Sequence, residues 1–182
     1  MSRQVPSALV VYESLFDNTA QVAHAITRGL RDAGFEAHSV PVTSLASTGP
    51  VSVDLLLLGA PTHAFSLSRP ASRAGAVRQG APPDRARIGA REWISHVGPG
   101  RFGTTLAAVF DTRVARVRGW PLAAGTTAGR LLHRRGFRLL RKPAAFLVDG
   151  TQGPLLPGEE ARAERWGQLI GAACRDELER AA

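Results

Sequence analysis

Cysteine and lysine each occur once in 182 residues. The lone cysteine, Cys174, excludes an internal disulfide framework and any cysteine-rich metal site. No apolar run is long enough to cross a bilayer. The longest, Leu55–Ala60 and Ala144–Val148, have the length of strands. The start, MSRQVPSALVVYES, enters a strand-like run at once, with no signal-peptide h-region or cleavage site. A cytoplasmic location is expected on that ground. There is no GxGxxG, GK[ST] or HExxH, no clustered His/Asp ligand set and no nucleophile elbow. The chain thus carries no acid–base or nucleophile apparatus of its own, and any chemistry must come with a cofactor. Aromatic residues are only 6%, and no nucleic-acid reader motif is present. Both count against nucleic acid as the partner.

What is present is a globular composition, 44% apolar and 21% charged, of a length that suits one domain over residues 1–182. The formal net charge is +8. Since Lys142 is the only lysine, nearly all of the positive charge is arginine. Residues 66–142 hold sixteen bases and three acids, whereas the segments on either side are net acidic. If those arginines are at the surface, they form one basic face that attracts phosphates or acidic proteins.

Ala8–Glu13 reads as a buried strand. Val22, Ala23, Ile26 and Leu30 then recur at helical spacing, with Gly34 in the place of a C-terminal cap. Glu36–Val42 is a second strand, and Val53–Gly59 a third that is apolar enough to be covered on both faces. Residues 64–90 read as long loops around a short helix, and Arg91–His96 as another short helix. Leu106–Phe110 is a fourth strand, residues 123–135 a helix, and Ala145–Val148 a fifth strand. Glu159–Glu179 is a long helix with Trp166, Leu169, Ile170, Ala173 and Leu178 on one face. Strands alternating with helices predict an α/β fold with a doubly wound, five-stranded parallel sheet. Ligands of such sheets bind beyond the carboxyl ends of the strands, so chemistry belongs in the loops after the first, third and fourth strands.

The first of those loops is Ser14-Leu15-Phe16-Asp17-Asn18-Thr19. Its hydroxyls and the free N–H groups at a helix start suit a phosphate, although Asn18 or Thr19 could simply cap the helix. The segment YESLFDNTAQVAHAITRGLRDAGF resembles the opening of flavodoxins. One branch of that family has YES-x-x-GNT as its phosphate loop, and Ser14, Asn18 and Thr19 match it. DLLLLGAPTHAFSLSRPASR resembles the segment that sets a turn against the flavin ring, with Pro61, Thr62, His63, Ala64 and Phe65 in the turn. LAAVFDTRV and FLVDGTQGPLLPGEEARAERWG are similar to the same branch's fourth strand, fifth strand and last helix. The resemblance covers nearly the whole chain.

The resemblance implies a flavodoxin-like three-layer sandwich that binds FMN. The phosphate would lie at Ser14–Thr19, and the ring between the 61–65 turn and the 111–113 loop. His63 could bond or stack on the ring, Phe65 could cover it, and Asp111 and Thr112 could bond its polar edge. Arg113 would favour the anionic reduced flavin. Electrons would pass to an acidic redox protein or to a small acceptor, anionic or a quinone. Trp120 could cover the flavin, whereas Trp93 and Trp166 suit packing, Arg116 and Arg118 suit solvent, and Cys174 suits the core.

One residue departs from the pattern: Asp17 stands where the family has glycine. Aspartate can visit the left-handed backbone region, but its carboxylate would repel a phosphate by about 1 kcal/mol or more. Arg113 or an arginine of residues 69–78 is the expected compensation. Asp17 also motivates a second reading, a degenerate flavodoxin-like module without FMN that uses its arginine face to bind an acidic or phosphate-bearing partner.

Overall fold

A computed structural model describes residues 5–45, 50–99, 105–117, 119 and 122–181. Five parallel strands form the main sheet: β1 (Ser7–Tyr12), β2 (Glu36–Pro41), β3 (Leu55–Pro61), β4 (Leu106–Val114) and β5 (Ala144–Val148). Their order is β2-β1-β3-β4-β5. The order reverses between β1 and β3, and the carboxyl ends of these strands diverge there into loops. The helices are α1 (Asn18–Asp32), α2 (Pro70–Arg78), α3 (Ala90–His96), α4 (Ala124–Arg134) and α5 (Glu159–Ala181). The fold is the three-layer α/β sandwich that the alternation predicts.

Period-two alternation places successive strand residues on opposite faces. Val10, Leu55, Leu57, Ala108 and Phe110 face a core shared with α1 and α5. Val11, Leu56, Leu58, Ala107 and Val109 face a second core with Trp93, Ile94 and Leu132 of α3 and α4. Leu55–Leu58 are wholly buried because both faces are covered. Each such leucine contributes roughly 1.5–3 kcal/mol.

Sequence expectation and structure differ at three places. β4 does not stop at Phe110. It runs on through Asp111, Thr112 and Arg113 because Phe110–Val114 pair with Ala144–Val148 of β5. Asp111–Arg113 are therefore strand residues and not a loop. On α5, Leu169 is 62% exposed, so it is not part of the buried stripe. That stripe is Ala163, Gly167, Ile170, Gly171 and Cys174, because α1 approaches to backbone contact. A Cβ at Gly29 would lie 2.0 Å from the carbonyl oxygen of Glu164, and one at Gly167 would lie 2.4 Å from that of Ile26.

The third difference concerns the arginines, which do not share one face. Arg73 is 2% exposed. Arg69, Arg78, Arg85 and Arg87 follow β3 at the carboxyl end of the sheet, whereas α4 carries Arg134 away to the opposite end. There Arg138 pairs in register with Leu106, the first residue of β4. Trp93 is buried and Trp166 half-buried in the core, Arg116 is exposed, and Trp120 and Arg118 lie outside the described residues. Cys174 is buried, and burial pushes its thiol up to about 12. No helix among the described residues is long and apolar enough to cross a membrane.

Candidate functional site

A cavity of about 380 Å³ opens at the carboxyl ends of β1, β3 and β4, within the size range of small-molecule sites. Of the residues singled out above, it brings together Ser14, Leu15, Phe16, Asn18, Thr19, Pro61, Thr62, His63, Ala64, Thr112 and Arg113. Asp17, Phe65 and Asp111 are not on its wall. Among the described residues, Arg113 is the one charged side chain of the lining apart from the titratable His63, and no carboxylate lines it.

The 14–19 loop forms one wall. Ser14 Oγ accepts the Ala20 N–H at 3.1 Å, and the Asn18 N–H bonds the Phe16 carbonyl at 2.9 Å. The N–H groups of Leu15, Phe16 and Asp17 have no acceptor among the described residues. Such clustered donors at a helix start form an anion cradle. The loop is anchored from β4 and from the turn that follows β5. Thr19 and Thr112 share a buried hydroxyl hydrogen bond of 2.8 Å. Asn18 Nδ2 donates to the Gln152 carbonyl at 2.9 Å. Gly153 lets that contact form, because its φ is +101° and a Cβ there would lie 2.3 Å from Asn18 Oδ1.

Asp17 takes a left-handed conformation (φ 64°, ψ −14°), so the glycine-like backbone is kept without glycine. Its side chain is 59% exposed and pairs with Arg85 at 2.6 Å. The partner is neither Arg113 nor an arginine of 69–78. It belongs to the short turn Pro83–Ala86 between α2 and α3. Arg113 is already engaged, donating through Nε and Nη2 to the two carboxylate oxygens of Asp111 at 2.7 and 2.6 Å.

Asp111 is wholly buried beneath the cavity. Besides Arg113 it accepts the Gly125 N–H at 3.1 Å, and Thr62 Oγ1 accepts the Ala124 N–H at 3.1 Å. Strand ends and the start of α4 are thus tied by buried Asp111 and half-buried Thr62. Asp111 is spent on this internal duty. Thr112 and Arg113 remain at the wall.

The opposite wall is the turn His63–Ser66, closed by two reciprocal backbone hydrogen bonds of 2.8 and 3.0 Å. Both central residues have positive φ, Ala64 at 45° and Phe65 at 63°, as in the two-residue turns that normally select glycine or asparagine. Phe65 is 38% exposed at its tip. Burial, then the charge of Arg73, hold the His63 imidazole below its ordinary value, so it is neutral at pH 7.

Arg73 belongs to a buried cluster behind this turn. It donates to Ser68 Oγ at 2.9 Å and to the Ala86 carbonyl at 3.0 Å, and it pairs with Glu92 at 3.1 Å. Glu13, 1% exposed, accepts the Ala90 N–H at 2.8 Å through Oε2, while its buried Oε1 has no hydrogen-bond partner among the described residues. Burial pushes the Glu13 carboxyl up, against its bonds to Ser68 and Ala90 and the charge of Arg73. Burial alone would also raise Glu92, but the Arg73 hydrogen bond and the Gly89 N–H hold it down.

Sequence reasoning missed two parts of the wall. Ser72, Gly75 and Ala76 of α2, with Gln79 just after it, close one side. Leu15, Ala76 and Ala81 form a small core that seats α2 on the 14–19 loop. Val148 and Thr151 close another side from the loop after β5, where Gln152 Nε2 donates to the Gln79 carbonyl at 3.0 Å. The glycines and proline of 150–154 are a turn signal that pointed there.

No family model and no curated protein matches the chain. Solved structures do match. It is similar to a flavodoxin from the domain Archaea (15% identity, 93% of this chain and 99% of that one, TM-score 0.59). It is also similar to oxidised flavodoxin 1 from Bacillus cereus (13% identity, 93% and 97%, TM-score 0.59). The third likeness is to rubredoxin oxygen:oxidoreductase from Desulfovibrio gigas (13% identity, 94% of this chain, TM-score 0.60), of which the chain spans only 37%. The fold is therefore flavodoxin-like.

Proposed function

We propose that the cavity binds FMN and that the protein is a flavodoxin-like redox carrier. The observation that carries this reading is the electrostatics of the cavity wall. Leu15, Phe16 and Arg113 line it, the Leu15 and Phe16 N–H groups have no acceptor among the described residues, and among those residues no carboxylate lines it, even though Asp17 lies in the loop. Ser14, Asn18, Thr19 and the N–H groups of Leu15, Phe16 and Asp17 would hold the phosphate. Pro61, Thr62, His63 and Ala64 on one side, with Thr112 and Arg113 on the other, would hold the ring. Bound there, FMN supplies one- and two-electron transfer, which no side chain of this chain provides.

The chain's own residues set the conditions for that chemistry. Neutral His63 offers a hydrogen bond without adding charge. Arg113 is fixed at the wall by its bidentate pair with Asp111, whose carboxylate offsets its charge, so it would contact a ligand without a free net charge. The tight 63–66 turn and the Thr19–Thr112 bond keep the two sides in register. Electrons would leave to an acidic protein partner or to a small acceptor, anionic or a quinone, since Arg69 and Arg78 flank α2, the helix that lines the cavity. The reading without FMN is not favoured, because Asp17, its motive, turns away from the cavity to Arg85.

Titration of FMN fluorescence tests the proposal. Quenching that saturates at one flavin per chain supports it. Unchanged fluorescence at micromolar protein, with a colourless preparation, rejects it.

A further inference from the structure

We infer that Arg85 is the residue that lets this loop accept a phosphate, by holding the Asp17 carboxylate outside the cavity and cancelling its charge. The inference rests on the proposed phosphate position and adds a specificity-determining residue that touches neither the cavity wall nor the loop's backbone.

Asp17 sits at the cap of α1 in a left-handed conformation, next to the three N–H groups that have no acceptor. The macrodipole of α1 draws an anion to this point. An untethered aspartate here would swing its carboxylate toward those N–H groups and compete with any phosphate for them. It does not, because Arg85 Nη1 donates to Asp17 Oδ1 at 2.6 Å from the other side. Both charges are felt at the buried phenol of Tyr12, which burial raises, Arg85 lowers and Asp17 raises.

Arg85 is well placed for this task. The turn Pro83–Ala86 follows α2, and α2 is seated on the loop by Leu15, Ala76 and Ala81. The guanidinium is thus delivered by an element that already packs on the loop, across 68 residues of sequence. Its Nε and Nη2 have no acceptor among the described residues, so the cation keeps donors to spare. The pair is partly exposed, 36% and 59%, and exposed pairs add little to folding stability. Its effect is read instead in anion binding.

The test uses the intact chain and four variants, Arg85→Ala, Asp17→Gly, the double variant Asp17→Gly/Arg85→Ala, and Arg87→Ala. Arg87 is an exposed arginine two residues from Arg85, and its recorded bond is to the Asp84 carbonyl at 3.3 Å. Binding of FMN and of riboflavin, which lacks the phosphate, is measured at low and molar salt. In parallel, the rise in melting temperature with inorganic phosphate is measured against chloride of equal ionic strength. Arg85→Ala should weaken FMN about tenfold at low salt, less at molar salt, and leave riboflavin unchanged. It should also abolish the stabilisation by phosphate. The double variant should return to within about threefold of Asp17→Gly, because without the carboxylate there is nothing to cancel. Arg87→Ala should stay within about twofold of wild type.

The inference is overturned if Arg85→Ala binds FMN and phosphate like wild type, if Arg87→Ala weakens FMN as much, or if Asp17→Gly fails to rescue. If wild type is stabilised by phosphate yet ignores FMN, the proposed function fails and the phosphate series alone decides on Arg85. If wild type takes neither ligand, both fall.

Discussion

Replacing Arg113 by methionine tests the buried ion pair beneath the cavity wall. Asp111 is 0% exposed and the Arg113 side chain 11% exposed, and two short hydrogen bonds join them. Methionine keeps the length of the stem but leaves the Asp111 carboxylate with the Gly125 N–H at 3.1 Å and a long contact of 3.5 Å from Thr62. Stranding one partner of a buried pair destabilises by about 3–5 kcal/mol. Arg113 lines the cavity, so water can enter where it stood, and the lower end, about 3 kcal/mol, is expected. For a chain of this size that is a fall of roughly 6–12 °C in melting temperature. Urea unfolding with an unchanged m-value is the assay. The double variant Asp111→Asn/Arg113→Met removes both charges together and keeps an acceptor for Gly125. It should recover to within about 1–2 kcal/mol of wild type. A loss below about 1 kcal/mol in Arg113→Met, or a double variant as unstable as the sum of the singles, would refute the buried-pair argument.

Two further outcomes follow from the same geometry. Burial raises the Glu13 carboxyl, so its folded value lies above its unfolded one. A group of that kind favours folding below its unfolded value and loses that contribution as pH rises through the folded value. Glu13→Gln, a neutral isostere, should therefore gain stability relative to wild type as pH is raised from 4 to 8, and a pH-independent difference in unfolding free energy would contradict it. Gly153→Ala forces a Cβ onto Asn18 at positive φ. A loss of about 1–3 kcal/mol in unfolding free energy is expected, with weaker FMN binding measured by fluorescence.

Much of this was legible before any coordinates. Leu55–Leu58 can only be a strand covered on both faces, and Val22, Ile26 and Leu30 can only be one side of a helix. Where legibility failed, the cause was contact between distant segments. Hydropathy ends β4 at Phe110 because Asp111 and Arg113 are charged, and no local pattern says that their charges cancel inside the fold. Leu169 looks like core, yet the true interface of α5 uses glycines, since α1 comes too close for side chains. The same holds at the cavity. The loops after β1 and β3 announce themselves by composition, whereas α2 reaches the wall only through Leu15 and Ala76, and Arg85 reaches Asp17 only through the path of α2.

The account stands or falls on where FMN binds. Amide chemical-shift mapping during an FMN titration answers that residue by residue. FMN seated in the cavity gives the largest shifts at Leu15–Thr19, Thr62–Ala64 and Thr112–Val114, with the amides around Arg134–Arg138 silent at the far end of the sheet. Shifts confined to that far end, or none anywhere, would contradict it.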